Sequence, residues 1–144
     1  MKRAVPTAVL GVFLFIMVVY GVLTNLVQLE NVGWVRTVGV EIYWDINCTQ
    51  RVTEIDWGMV EPGTNKTVLM YVLNPGTVNI TLSANTSAWQ PINASSFLSL
   101  TSNYTGQTIQ FYEVLPVTLT LTVSPDIRGI REFSFLITVE AVEQ

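Results

Sequence analysis

Period-two alternation of apolar and polar side chains governs this chain from residue 38 onward. Val38, Val40, Ile42 and Trp44 alternate with Gly39, Glu41 and Tyr43, and Val78, Ile80 and Leu82 alternate with Thr77, Asn79, Thr81 and Ser83. The pattern returns where Val117, Leu119, Leu121 and Val123 interleave with Thr118, Thr120 and Thr122. It returns again where Phe133, Phe135, Ile137 and Val139 interleave with Glu132, Ser134, Thr138 and Glu140. Successive side chains of a strand point to opposite faces, so each run reads as a strand with one buried face. Residues 52–57, 67–73, 97–100 and 108–112 are further strand candidates.

Turn-forming groups separate these runs: Pro62-Gly63, Asn74-Pro75-Gly76, Trp89-Gln90-Pro91, Tyr104-Thr105-Gly106, Pro116 and Ser124-Pro125. No helical period appears after residue 37. The expected fold is therefore all-β, an immunoglobulin-like antiparallel β-sandwich of seven or eight strands over residues 38–144. Cys48 is the only cysteine, so the Cys-Trp-Cys pin of antibody domains cannot form and packing alone must hold the core.

The other end of the chain obeys a different rule. After Lys2 and Arg3, the run that opens at Ala4 carries no charge, has Thr7 as its one clearly polar side chain as far as Leu23, and continues through Thr24 and Asn25 to Val27. A helix of this length is about 30 Å long, enough to cross the hydrocarbon core of a bilayer. Pro6 is tolerated in its first turn. Basic residues precede the run and hardly any follow closely, which places the N-terminus in the cytoplasm and the β-rich body outside. Val19-x-Gly21 and Val22-x-Thr24 are poor cleavage sites for a signal peptidase, so residues 1–27 are expected to stay as a single-pass anchor. Residues 28–37, with Gly33 and Trp34, read as an interfacial collar and linker.

An external address agrees with the asparagines. Asn47, Asn65, Asn79, Asn85, Asn93 and Asn103 each have Ser or Thr two positions on with no intervening Pro, the acceptor triplet for N-glycosylation. Beyond residue 37 only Asn74 breaks the pattern, because Pro75 follows it. About one or two such triplets would arise by chance among these asparagines, so the set carries weight that no single member does. Asn79 falls opposite Val78, Ile80 and Leu82 in the alternation and is expected to face solvent in mid-strand. The other five fall in predicted turns or strand edges.

Composition narrows the chemistry. With 7 Lys and Arg against 11 Asp and Glu, no basic face is available for nucleic acid. Histidine is absent, so Ser-His-Asp or Cys-His catalysis and His/Cys zinc sites cannot be assembled within one chain. Asp45, Glu54, Asp56 and Glu61 are the one local cluster of acids. Nothing in their spacing fixes the separation that a glycosidase pair requires, and Asp45-Ile46-Asn47 lacks the Gly and the distal Glu of a calcium loop. No catalytic residue, metal ligand or cofactor is expected.

Two resemblances add to this reading. Tyr43-Trp44-Asp45, Cys48-Thr49 and Asp56-Trp57-Gly58 are similar to motifs of uncharacterised archaeal surface proteins that carry one N-terminal membrane helix and a short immunoglobulin-like ectodomain. The runs Val114-Leu115-Pro116-Val117 and Phe133-Ser134-Phe135 resemble closing strands of such modules. Lys2-Arg3-Ala4 followed by Val5-Pro6 resembles the cleavage region of archaeal type IV pilins and archaellins. The first resemblance implies an immunoglobulin-like fold and a surface location and brings no activity with it. Together with the apolar run and the triplets, the expectation is a non-enzymatic, membrane-anchored glycoprotein whose partners are the bilayer, envelope proteins or further copies of itself. The second implies a filament subunit, with the apolar helix as its core after cleavage near Ala4. In another filament form the helix is removed and a segment such as Val38 to Trp44 completes a neighbour's sheet.

Overall fold

The structure is a computed structural model in which Gly33 and residues 35–144 are described. The expected anchor helix and its pilin-like start at Ala4 lie outside the described residues. The chain divides after Gly33, and every strand among the described residues belongs to the second unit, Trp34–Gln144.

That unit is built from β1 (Glu41–Tyr43), β2 (Asn65–Leu73), β3 (Ile80–Gln90), β4 (Leu98–Ser102), β5 (Val114–Val123) and β6 (Ser134–Glu143). A short 3-10 helix, Ile92–Ser96, links β3 to β4. The strands form two antiparallel sheets, one of four strands in the order β1-β2-β5-β4 and one of two, β3-β6. This is consistent with a β-sandwich. The expected seven or eight strands become six among the described residues.

Each strong alternation contains a strand, most fully at β5 and β6. In the centre of the larger sheet β2 pairs with β5 from Asn65↔Thr122 to Leu73↔Val114, which sets Met70 opposite Val117. Both are buried, with Val72, Leu121 and Val123. Two clusters form the core. In one, Met70, Val72 and Val117 meet Ile80 and Ile109, with Leu82 and Ala141 of the smaller sheet packed against them. In the other, Trp57, Ala94 and Leu98 meet Leu121 and Val123, with Phe133 and Phe135 alongside. Ile80, Ile109 and Leu121 are fully enclosed, each stabilising the fold by about 1.5–3 kcal/mol.

Several sequence expectations are corrected by this architecture. Residues 52–57 form no strand. Val52 donates its N–H to Ile42 O at 2.9 Å, and from there the chain runs without a ladder to the Pro62-Gly63 turn, where Gly63 sits at φ 72°. Ile55 and Trp57 reach the core from this strap. Residues 108–112 contribute only the bridge Ile80↔Ile109. Of the run 38–44, just Glu41–Tyr43 is a strand, paired with Tyr71–Leu73 of its own domain. The 3-10 helix has no counterpart in the sequence pattern, since five residues are too few to show a helical period.

Candidate functional site

All six triplet asparagines, Asn47, Asn65, Asn79, Asn85, Asn93 and Asn103, are exposed. Asn65 and Asn85 lie in β2 and β3, Asn93 in the 3-10 helix, Asn47 in the turn after β1, and Asn103 just past β4. Asn79 is not in mid-strand as expected. It immediately precedes β3, where its carbonyl accepts the Gln144 N–H at 3.0 Å. Asn103 is the one whose side chain also supports the fold, because its Oδ1 accepts the Thr118 N–H at 2.9 Å. That bond leaves Nδ2, the atom a glycan would occupy.

Asn74, the asparagine with no triplet, is 0% exposed. Its Nδ2 donates to Val78 O at 2.8 Å and to Ile109 O at 3.1 Å, and its Oδ1 accepts the Gly76 N–H at 3.0 Å. Its own N–H reaches Glu113 O, and its carbonyl takes the Tyr112 N–H. One side chain thus ties the turn after β2 to the segment around Ile109. Gly76 is required beside it, because a Cβ there would meet Thr37 O at 2.4 Å. The exposure of the six triplet asparagines was expected from the sequence, whereas the burial of Asn74 was not, although Pro75 and Gly76 mark the turn.

Two of the four acids are engaged in turns. Asp45 accepts Thr49 N–H at 2.9 Å, Thr49 Oγ1–H at 2.6 Å and Gln50 N–H at 2.9 Å, closing the turn that holds Asn47 and Cys48. The Thr49 hydroxyl, then the Gln50 N–H, hold its carboxyl below the ordinary value. Asp56 Oδ1 accepts the Gly58 N–H at 2.8 Å, an Asx-turn that gives Asp56-Trp57-Gly58 a local structural purpose. Glu54 and Glu61 are exposed. Among the described residues no group of three acids, His or Cys converges as metal ligands do. Cys48 is half-buried at φ 56°.

Glu41 and Arg51 were not singled out by sequence, yet they buttress β1. Tyr43 Oη–H donates to Glu41 Oε2 at 2.6 Å, while Arg51 pairs with Glu41 Oε1 at 2.5 Å and lies 5.7 Å from the Tyr43 ring centre. The tyrosine hydroxyl and the arginine hold the Glu41 carboxyl low against the opposing effect of burial. The bond to Glu41 in turn raises the Tyr43 phenol. The ion pair sits on the rim of the domain, so screening leaves it a small share of stability.

A cleft of about 1650 Å³ lies between the sheets, bordered by the 52–60 strap, the 127–133 loop and β6. Ile55, Trp57, Leu119, Phe135, Ile137 and Val139 line it. Phe135 stacks on Trp89 at 4.3 Å and Ala141 joins the second cluster, but Ile137 and Val139 between them pack against neither buried cluster. The middle of the inner face of β6 is thus half-covered. Compared with known proteins, the chain matches no family model, no curated protein and no solved structure.

Proposed function

We propose that this chain is a non-enzymatic cell-surface glycoprotein: an N-terminal helix, Ala4 to Val27, anchors it in the membrane, and an N-glycosylated immunoglobulin-like sandwich stands outside. Its role is structural or that of an interaction module within the envelope. The observation that carries the reading is the division of the asparagines, with six acceptor triplets all exposed and the single non-triplet asparagine beyond residue 37 buried. Glycans attached at those six positions displace no core contact.

The sheet order supports the immunoglobulin-like comparison. A four-stranded sheet faces a smaller one as in a constant-type domain, where the second sheet has three strands rather than two. The acids that an enzyme would need are engaged in turns or dispersed in solvent. A filament subunit is the second reading, favoured by the edge of β6 that no strand among the described residues covers. Its strand-exchange form needs a donor other than the Val38 to Trp44 segment, whose strand β1 already pairs with β2.

The chain's two lysines test the topology, since Lys2 precedes the apolar run and Lys66 lies in β2. A membrane-impermeant amine reagent applied to intact cells is expected to modify Lys66 and spare Lys2, with both modified after permeabilisation. Labelling of Lys2 in intact cells, or of Lys66 only after permeabilisation, would overturn the orientation.

A further inference from the structure

We propose that β6 is a homophilic pairing edge, through which two copies of this chain join their smaller sheets into one continuous four-stranded sheet, β3-β6-β6-β3. The inference begins with how the strand edges are protected. An exposed edge is a template for another strand, and folded proteins blunt it by shortness, bulges, Lys, Pro or a covering segment. In the larger sheet the edge strands are short, with 3 residues in β1 and 5 in β4. On the outer edge of β3, Ile80 is covered by Ile109, and the strand is irregular between Ser87 and Gln90. By contrast β6 has 10 residues, Ser134 to Glu143, with no Lys, Arg, Pro or Gly, and among the described residues its only neighbour is β3.

The backbone of that edge points outward in a regular way. Ile80 exchanges both its bonds with Ile109, at 3.0 and 2.8 Å, so its N–H and C=O face away from β6. Ile80↔Glu143 is therefore a non-hydrogen-bonded pair, next to the bonded position at which Gln144 N–H meets Asn79 O. Alternation along an antiparallel ladder then turns the N–H and C=O of Ile137, Val139, Ala141 and Glu143 to the open edge.

The side chains select both the partner and the register. A two-fold axis at Val139 brings Ile137 opposite Ala141 of the second copy and matches every outward-facing backbone group with its counterpart. On the outer face it sets Leu136 against the second copy's Val142, joining two side chains that are 61% and 47% exposed in the single chain. It also places Thr138 opposite Glu140 and Phe135 opposite Glu143, so no carboxylate faces another. Moving the axis to Glu140 sets that residue against itself, a like-charge pair that destabilises a sheet. Moving it to Thr138 puts Leu136 opposite Glu140 and Val142 opposite Ser134. Of the three central registers, which keep most of the strand paired, the one about Val139 is self-complementary, as an isologous two-fold contact requires. Neither β5 nor β6 carries an acceptor triplet, the last being at Asn103.

Cysteine pairs read the register directly. In the full chain carrying Cys48→Ser, Leu136→Cys and Val142→Cys occupy a non-hydrogen-bonded pair across the two copies, with Cα atoms about 4.5 Å apart, within disulfide reach. Within one strand the same residues are about 20 Å apart and cannot bridge. Both positions are exposed, so neither substitution opens a core cavity. Under mild oxidation in the membranes of expressing cells, the double variant is expected to run as a disulfide-linked dimer on non-reducing gels. Each single variant alone should remain monomeric, and co-expressed single variants should form the mixed dimer. Absence of dimer from the double variant, or equal cross-linking by the single variants, would overturn the proposal. Either result leaves the glycoprotein reading untouched, because the assay does not depend on sugar.

Discussion

Replacing Asn74 with Ala tests whether the turn after β2 is held by one buried amide. The substitution removes three hydrogen bonds at once, to Val78 O, Ile109 O and from Gly76 N–H. Ile109 O keeps the Ile80 N–H at 3.0 Å, so the groups left without a partner are the Val78 carbonyl and the Gly76 N–H. Each orphaned group costs about 1–3 kcal/mol, and a small void adds to that, giving a loss of about 4 kcal/mol. Against a typical total of about 5–15 kcal/mol this is a large fraction. Urea unfolding of the full chain in detergent micelles, followed by tryptophan fluorescence, is the assay. With an m-value of about 2 kcal/mol/M, the midpoint should fall by about 2 M. A fall of less than about 0.5 M would refute the bookkeeping, because the variant would then cost less than one orphaned group. Asn74→Asp keeps the acceptor for Gly76 but turns an oxygen toward two carbonyls. Its protonated form can donate to one of them, so that variant should regain stability as pH falls.

Three further outcomes rest on the same geometry. Gly76→Ala drives a Cβ to within 2.4 Å of Thr37 O, so it should destabilise by about 2 kcal/mol or more and loosen residues 35–37, seen as faster amide exchange at Thr37 and Thr77. Asp45 has a lowered pKa when folded, so its contribution is present above its unfolded value of about 4 and is lost as pH falls through the lower folded value. Exchange of the Thr49 and Gln50 amides should accelerate across that acid window, and Asp45→Asn should flatten the profile. In unglycosylated protein, Asn103→Ala should cost about 1 kcal/mol by freeing the Thr118 N–H, while Asn85→Ala stays within about 0.5 kcal/mol; equal melting temperatures would contradict this.

Strand alternation was legible because burial of one face is a property of the strand itself. Val117 to Val123 and Phe133 to Val139 announced themselves for that reason. The same signal misled at residues 52–57, where Ile55 and Trp57 turn to the core from a strap with no ladder partner. Periodicity reports which side is buried and says nothing of whether a neighbour is hydrogen-bonded. It is equally silent on how many neighbours a strand has, so the pairing of β6 with β3 alone among the described residues became visible only with the sheet order. The acceptor triplets were plain, and their exposure followed from the turns and polar strand faces on which the sequence puts them. Asn74 shows the difference: its Pro and Gly neighbours foretell a turn, whereas its complete burial depends on Ile109, 35 residues away.

The central claim is that this sandwich stands outside the cell under N-linked sugar. Mass spectrometry of the native protein, reading glycopeptides and the N-terminal peptide together, tests it most directly. The account predicts sugar mass on peptides containing Asn47, Asn65, Asn79, Asn85, Asn93 and Asn103, none on Asn74, and an N-terminus at Met1 or Lys2. Unmodified peptides at all six triplets, or an N-terminus at Val5 or beyond Gly21, would contradict it.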